Sequence, residues 1–158
     1  MSYKIKFLDG SEKEFDTLAG ADLCGADLRG ANLSGTDMQG AYLYSADIMW
    51  ANLTGADMSG ATLIGADLSC TDLTGTNLSG ANLSDTDMQR ATLTRADLSR
   101  ADLSRADLYE ATLHGAKLEG ADLSGANLEG TDLTGANLVG AILLDADLTY
   151  AITDTEEQ

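Results

Sequence analysis

The chain has no proline, one histidine, one tryptophan and two cysteines in 158 residues. Proline cannot donate a backbone hydrogen bond, so its absence favours a fold in which every residue can join a ladder. Cys24 and Cys70 are too few for a disulfide framework and are typical of a reducing, cytoplasmic compartment. The single histidine, His114, cannot build a zinc site without cysteines close by in the fold. We therefore expect no metal and no cofactor.

Basic residues are also scarce: nine Lys and Arg against 26 Asp and Glu give a formal charge of −17. This charge argues against direct binding to nucleic acid or to an anionic membrane, because both carry the same sign. No apolar run approaches the roughly 20 residues that span a bilayer, and the first residues lack the apolar stretch of a signal peptide. No Ser–His–acid set and no phosphate-binding loop stands out, so we expect a non-enzymatic protein.

What the sequence does contain is one repeat of five residues, Ala-Asp/Asn-Leu-x-x. Every fifth residue from Leu18 to Leu148 is Leu, Met or Ile, and every fifth residue from Ala21 to Ala151 is Ala or Thr. A period of five fits neither a helix nor a long strand. Within one unit, however, the Ala and the Leu are two apart, which is the alternation of a short strand. The two residues that follow must turn a corner, and Gly is the last residue of sixteen units.

Bends of about a right angle close such a chain into a coil after four units, and successive coils stack about 4.8 Å apart. Leu side chains that point inward then fill the centre, so we predict an all-β solenoid of about seven coils of four pentapeptides. The repeat resembles that of the pentapeptide-repeat family over roughly residues 18–152. This resemblance implies a right-handed quadrilateral β-helix. The period alone predicts a square coil but not whether the coil is right- or left-handed.

The two ends lie outside the repeat. In residues 1–17, Tyr3, Ile5 and Phe7 alternate with lysines before the turn signal Asp9-Gly10. This pattern predicts a strand or hairpin that caps the edge of the first coil. We therefore predict three segments: an N-terminal cap over 1–17, the β-helix over 18–152 and a flexible acidic tail over 153–158.

If residues 20 apart stack, one column of second positions is almost entirely acidic. This acidic column consists of Asp27, Asp47, Asp67, Asp87, Asp107 and Asp147, with Asn127 in the series. Carboxylates about 5 Å apart should raise one another's pKa values unless cations or donors intervene. The column is either a ladder that imitates a phosphate backbone, or the residue type that hydrogen-bonds locally at the bend.

Four successive units end in arginine instead of glycine. In a four-unit coil they form one basic belt, which consists of Arg90, Arg95, Arg100 and Arg105. We expect each of them to lie near acidic residues of its own or an adjacent coil, in exposed pairs that contribute little stability. The belt either relieves repulsion between the acidic residues or is bound by a partner protein. It also interrupts the acidic surface near the middle of the rod.

Large apolar residues occupy outward positions in two places. The first is an aromatic rim, which consists of Tyr42, Tyr44, Met49, Trp50 and Ile64. Trp and Tyr are favoured anchors of interfaces, so the rim is a candidate partner-binding surface. The second place is an apolar last coil with Val139, Ile142, Leu144, Tyr150 and Ile152. A terminal repeat must be capped or stacked on another molecule, so we expect an end-to-end homodimer or a short self-cap.

Two functions are compatible with this pattern. The first is a non-enzymatic structural or protein-interaction module, a rigid acidic rod that binds a protein partner but neither nucleic acid nor membrane. The second comes from the resemblance, because some pentapeptide-repeat proteins are DNA mimics that bind a type II topoisomerase, DNA gyrase, as inhibitor or protector. The chain shares their acidity and rod shape, whereas its inward residues are aliphatic where those proteins often have Phe.

Overall fold

The structure is a computed structural model that describes residues 2–154. Three strands, β1 (Tyr3–Phe7), β2 (Glu12–Phe15) and β3 (Ala26–Asp27), form a sheet in the order β2-β1-β3. β1 pairs antiparallel with both neighbours, with Lys6 opposite Glu12 on one side and opposite Asp27 on the other. Within the described range no residue is helical, and so no helix could cross a membrane.

The hairpin of β1 and β2 has one apolar side. Ile5 and Phe7 alternate with exposed lysines and are each only 6% exposed, because they pack on the core of the first coil. The turn is closed by the Gly10 N–H, which donates to the Phe7 carbonyl at 2.9 Å. The Ser11 N–H donates to the Asp9 carboxylate at 2.8 Å. The alternation of side chains thus places the hairpin over the start of the repeat.

After the hairpin the chain winds into coils of 20 residues. Parallel bridges join each second-position residue to the one 20 positions later, from Asp22 with Tyr42 to Asp132 with Ile152. Around each bridge the chain bonds to both neighbouring coils. For example, the Leu63 N–H donates forward to the Asn82 carbonyl at 2.7 Å. One residue earlier, the Thr62 N–H donates back to the Ala41 carbonyl at 2.9 Å.

The core is a column of inward side chains. The central Leu, Met and Ile residues from Leu18 to Leu133 are at most 5% exposed. Full burial of such a side chain contributes about 1.5–3 kcal/mol. Where Thr replaces Ala, its hydroxyl finds a partner: Thr76 Oγ1 donates to the Leu53 carbonyl of the previous coil at 2.8 Å. Among the described residues, no buried side-chain N or O lacks a hydrogen-bond partner.

All corner residues from Gly20 to Tyr150 have left-handed backbone, with φ between 51° and 72°. This conformation explains the predicted preference for Gly, which has no Cβ to clash with the following carbonyl. Eleven corners nevertheless carry another residue type in the same conformation. For these residues the left-handed region costs roughly 1–2 kcal/mol each.

The two ends of the coil differ. The first central residues, Leu18 and Leu23, are at most 1% exposed under the hairpin. In the last coil Leu148 is 41% exposed, because no further coil of the described residues covers it. Of the predicted tail, Asp154 lies within the structure, and its carboxylate accepts a hydrogen bond from the Gly135 N–H at 3.0 Å. Residues 155–158, the rest of that tail, lie outside the described residues.

Candidate interaction surface

The 20-residue coil sorts the pentapeptides into four stacks. The first stack contains units 21–25, 41–45 and every unit 20 residues further on, and the other three follow in chain order. The last residue of each unit is a corner, and the corners of one stack form a line along the rod, called a corner line below. The acidic column lies in the second stack, where bridges join Asp27 to Asp47, Asp47 to Asp67, and so on along the coil.

Local hydrogen bonds account for the residue type in the acidic column. The Asp67 carboxylate accepts the Ser69 N–H at 2.9 Å and the Ser69 hydroxyl at 2.6 Å. The Gln89 N–H donates to Asp87 in the same way at 3.0 Å. This bond between the side chain and the backbone two residues later also recurs in the other stacks, as at Asp57. Asp and Asn are favoured at such turns because their side chains bond the nearby backbone.

The charges of the acidic column are unevenly compensated. Arg29 forms two 2.8 Å bonds to Asp27 and lies 3.4 Å from the Asp47 carboxylate. The hydrogen bonds from this guanidinium lower the pKa of Asp27 to about 2. Burial raises the pKa of Asp87, and the charges of Asp67 and Asp107 raise it further. The expected mutual effect is therefore present at Asp87, whereas a cation overrides it at Asp27.

The carboxylate of Asp107 is satisfied by neutral donors. Gln89 Nε2 donates to one oxygen at 2.8 Å, and Asn127 Nδ2 donates to the other at 2.9 Å. Asp67 and Asp87, in contrast, have no cation within 4 Å among residues 2–154. Asp67 and Asp87 are therefore neighbouring carboxylates that have neither a cation nor a donor to the second oxygen among the described residues.

The basic belt is only half paired. Arg90 Nε lies 2.8 Å from Glu110, and Arg105 Nη2 lies 2.6 Å from Asp85. Both acidic partners are themselves corner residues one coil away, which the sequence pattern did not single out. Over the part of the chain that the structure describes, Arg95 and Arg100 form no ion pair. Their Cγ atoms lie 3.5 and 3.7 Å from where a Cβ would stand on Gly115 and Gly120, one coil later.

The residues of the aromatic rim lie in two neighbouring stacks. Tyr42 and Tyr44 are 54% and 55% exposed in the first stack, and Ile64 follows Tyr44 one coil later. Trp50 is 61% exposed at the corner that ends the second stack, beside the half-buried Met49. Asp47 of the acidic column lies between the two groups along the chain. Along the chain, the rim thus has aromatic residues before and after a carboxylate.

The corners around the second stack carry most of the side chains in left-handed backbone. Two of the four corner lines border this stack. The line before it contains four of the eleven residues, namely Ser45, Asp85, Arg105 and Asp145. The line after it contains five, namely Trp50, Cys70, Arg90, Glu110 and Tyr150. Arg95 and Arg100 are alone in the other two lines. The sequence signal for this asymmetry is that every fourth corner from Trp50 to Glu110 is a residue other than Gly, which the pattern of arginines does not reveal.

The outward residues of the last coil are exposed. Their exposed fractions are 73% for Val139, 51% for Ile142, 67% for Leu144, 82% for Tyr150 and 55% for Ile152. The inward Leu148, which the repeat predicts to be buried in the centre, joins this surface. Within residues 2–154, the N–H groups of Leu143 and Leu148 have no backbone partner. The end of the coil is therefore apolar and retains open donors.

Bridges 20 residues apart, left-handed corners and a Leu-filled centre define the class of this protein: it is a β-helical repeat solenoid. A family model described as pentapeptide repeats matches in eight copies over residues 17–55, 46–85, 56–95, 86–125 and 126–152. The chain belongs to the pentapeptide-repeat family, which confirms the resemblance seen in the sequence. Family membership makes the solenoid a right-handed β-helix.

One solved structure supports this assignment, and a second is similar in sequence. HetL, a pentapeptide-repeat protein involved in heterocyst differentiation regulation in the cyanobacterium Nostoc sp. strain PCC 7120, is 43% identical with a TM-score of 0.64. The match covers 80% of this chain but only 61% of HetL, so the chain spans less than two thirds of that protein. Rfr23 from the cyanobacterium Cyanothece 51142 is 32% identical over 65% of this chain and 64% of its own, with a TM-score of 0.44.

A trypsin-treated form of QnrB1, a plasmid-mediated fluoroquinolone resistance protein, is 18% identical. The match covers 88% of this chain and 90% of that one, with a TM-score of 0.40. No curated protein matches the chain.

Proposed function

We propose that this chain is a non-enzymatic protein-interaction module, a rigid acidic rod that binds a protein partner through its aromatic rim. The observation that carries the proposal is the exposure of Trp50 (61%), Tyr44 (55%) and Tyr42 (54%). Most outward positions elsewhere before the last coil are Asp, Asn, Ser or Thr. Exposed Trp and Tyr side chains that lie together are the usual anchors of protein interfaces.

The backbone at Trp50 supports the same proposal. Its φ of 57° lies in the left-handed region, where Gly occupies sixteen of the corners. A bulky side chain there costs stability that Gly would not cost. Residues held in such a conformation cluster at functional sites, since a stability gain is forgone for another purpose. Trp50 shares this strain with ten other corners, but before the last coil it alone among them has an exposed aromatic ring.

Replacement of Trp50 by Gly gives a clean test, because it removes the side chain and relieves the backbone. We expect Trp50→Gly to fold at least as stably as the wild type and to lose its partner. The matched control is Arg95→Gly, which makes the same change on another corner line. Quantitative affinity capture from native lysate should yield a protein retained by wild type and Arg95→Gly but absent with Trp50→Gly. Equal capture by all three variants would refute the role of the rim.

We also propose the finer architecture and a second contact. The solenoid is quadrilateral, with about seven coils over residues 18–152 and a cap over 1–17. Its apolar last coil binds a second copy end to end, since the first coil is already covered by the hairpin. Sedimentation of the wild type against Ile142→Asp with Leu144→Asp tests this contact. A wild-type monomer at micromolar concentration contradicts the homodimer.

The alternative function is a DNA mimic that binds DNA gyrase. The charge of −17 and the stacked acidic column favour it. The pairing of Arg29 with the first two carboxylates and the belt ion pairs argue against a continuous polyanion. A supercoiling assay with this chain distinguishes the two functions. If the chain neither inhibits nor protects gyrase at micromolar concentration, the DNA-mimic function is excluded.

A further inference from the structure

We propose that the partner segment at the aromatic rim is basic, and that its Lys or Arg side chains bind between Trp50 and the carboxylates of Asp67 and Asp87. This inference rests on the proposed function and specifies the chemistry of the partner. It places the contact in the second stack, on the side of the rod where Trp50 and Met49 supply apolar surface. The fourth stack is bordered by glycines at every corner except Arg95 and Arg100.

The backbone brings the aromatic and acidic groups together. The Trp50 N–H donates to the Ser69 carbonyl at 3.2 Å, so the Trp50 corner lies directly beside the unit that contains Asp67. Asp87 follows Asp67 by one bridge. Among aromatic residues Trp attracts cations most strongly, and a nearby carboxylate adds a charged hydrogen-bond acceptor. An exposed indole at the corner next to the unit that contains Asp67 is therefore suited to a guanidinium or an ammonium group.

Ion pairs and hydrogen bonds distinguish these two neighbouring carboxylates from Asp27, Asp47 and Asp107, whereas Asp147, which also accepts at only one oxygen, lies in the last coil. Arg29 compensates Asp27 and Asp47, while Gln89 and Asn127 donate to both oxygens of Asp107. At Asp67 and Asp87 the described residues bond only one oxygen, and the other has no donor. Cationic side chains of a partner would donate to the second oxygen of each of these carboxylates.

The spacing of the coils suits a basic helix. Successive coils lie about 4.8 Å apart. Basic residues three or four apart on a helix are separated by a rise of about 4.5–6 Å. Each coil can therefore present one carboxylate to one cation of a helix that lies along the rod. We therefore expect the partner helix to have Lys or Arg at every third or fourth residue of the face that contacts the rod.

Trp50 reports on this contact directly, because it is the only tryptophan in the chain. The probe is an alanine-based helical peptide of about 15 residues with lysines three and four apart. A peptide with glutamates in place of the lysines is the control. We expect saturable binding of the lysine peptide with a shift in Trp50 emission, and no shift with the glutamate peptide. Saturable binding without a change in Trp50 emission would place the contact elsewhere and overturn the inference.

Two matched double variants separate the site from general attraction to an acidic protein. Asp67→Asn with Asp87→Asn should weaken binding of the lysine peptide about fivefold or more. Asp102→Asn with Asp122→Asn removes the same charge from two bridged residues of the first stack and should leave the affinity almost unchanged. Both pairs keep a side-chain oxygen for the local backbone bond.

Equal weakening by the two double variants would overturn the inference, because general attraction depends only on net charge. The proposed function can fail independently of this result. If lysate capture depends on Trp50 but the lysine peptide does not bind, the rim is an interface for a partner of other chemistry. If capture does not depend on Trp50, the proposed function itself fails.

Discussion

Arg95→Gly is expected to stabilise the protein, although it removes a long side chain. Arg95 sits at a corner with φ 56°, where Gly is the residue without strain. It forms no ion pair within residues 2–154. The Cγ atom of Arg95 lies 3.5 Å from where a Cβ would stand on Gly115, so only the stem of the side chain packs on the next coil.

The magnitude follows from two opposing effects. Relief of left-handed backbone contributes roughly 1–2 kcal/mol to the folded state. The greater freedom of Gly in the unfolded chain costs about 0.4–1 kcal/mol. The net gain in the free energy of unfolding is therefore about 0.5–1 kcal/mol, which corresponds to a rise in Tm of about 2 °C for a chain of this size. Arg105→Gly should gain less, because it also breaks the ion pair with Asp85.

Equilibrium unfolding in urea, followed by far-UV circular dichroism, measures this gain. Gly115→Ala is the inverse experiment on the same corner line, where φ is 64°, and it should lose a similar amount. Loss of more than about 0.5 kcal/mol by Arg95→Gly would refute the reasoning. That result would mean that packing of the arginine stem outweighs the strain of the corner.

Three further predictions concern the core, the buried hydroxyls and the charges. Leu83→Ala, at a fully buried position, should cost about 2–5 kcal/mol in urea unfolding. Leu148→Ala, 41% exposed, should cost much less, and equal costs would contradict the open end. Thr76→Val should cost about 1 kcal/mol, because the hydrogen bond to the Leu53 carbonyl is lost while the volume is kept. A Thr76→Val variant as stable as wild type would show that this bond contributes nothing. The pKa of Asp27 is lowered to about 2, so its stabilising contribution is present above the unfolded pKa of 3.8 and is lost as the pH falls towards 2. NMR titration of the carboxyl carbon should show that Arg29→Ala raises this pKa, and an unchanged value would exclude Arg29 as the cause.

The residues of the aromatic rim could be predicted from the sequence, but their arrangement around the coil could not. Trp50 and Tyr44 stand out in the sequence because polar residues surround them. Their separation into two stacks with Asp47 between them depends on the position of the corners. The preference for Asp at second positions was also open to two interpretations. Only the hydrogen bond from residues such as Ser69 to Asp67 favours the local explanation.

The sequence by itself determined the repeat, the inward residues and the stacking of residues 20 apart, because a period of five that alternates within each unit leaves one way to bury every Leu. It also located the candidate surfaces. The tertiary structure alone decided which charges are compensated, since Arg29 bridges two coils and, of the belt, Arg90 and Arg105 pair with residues 20 positions away. It likewise decided that the hairpin covers the first coil, whereas none of the residues up to 154 covers the last one. Contacts between coils set these features, and a five-residue pattern contains no information about which neighbour a long side chain selects.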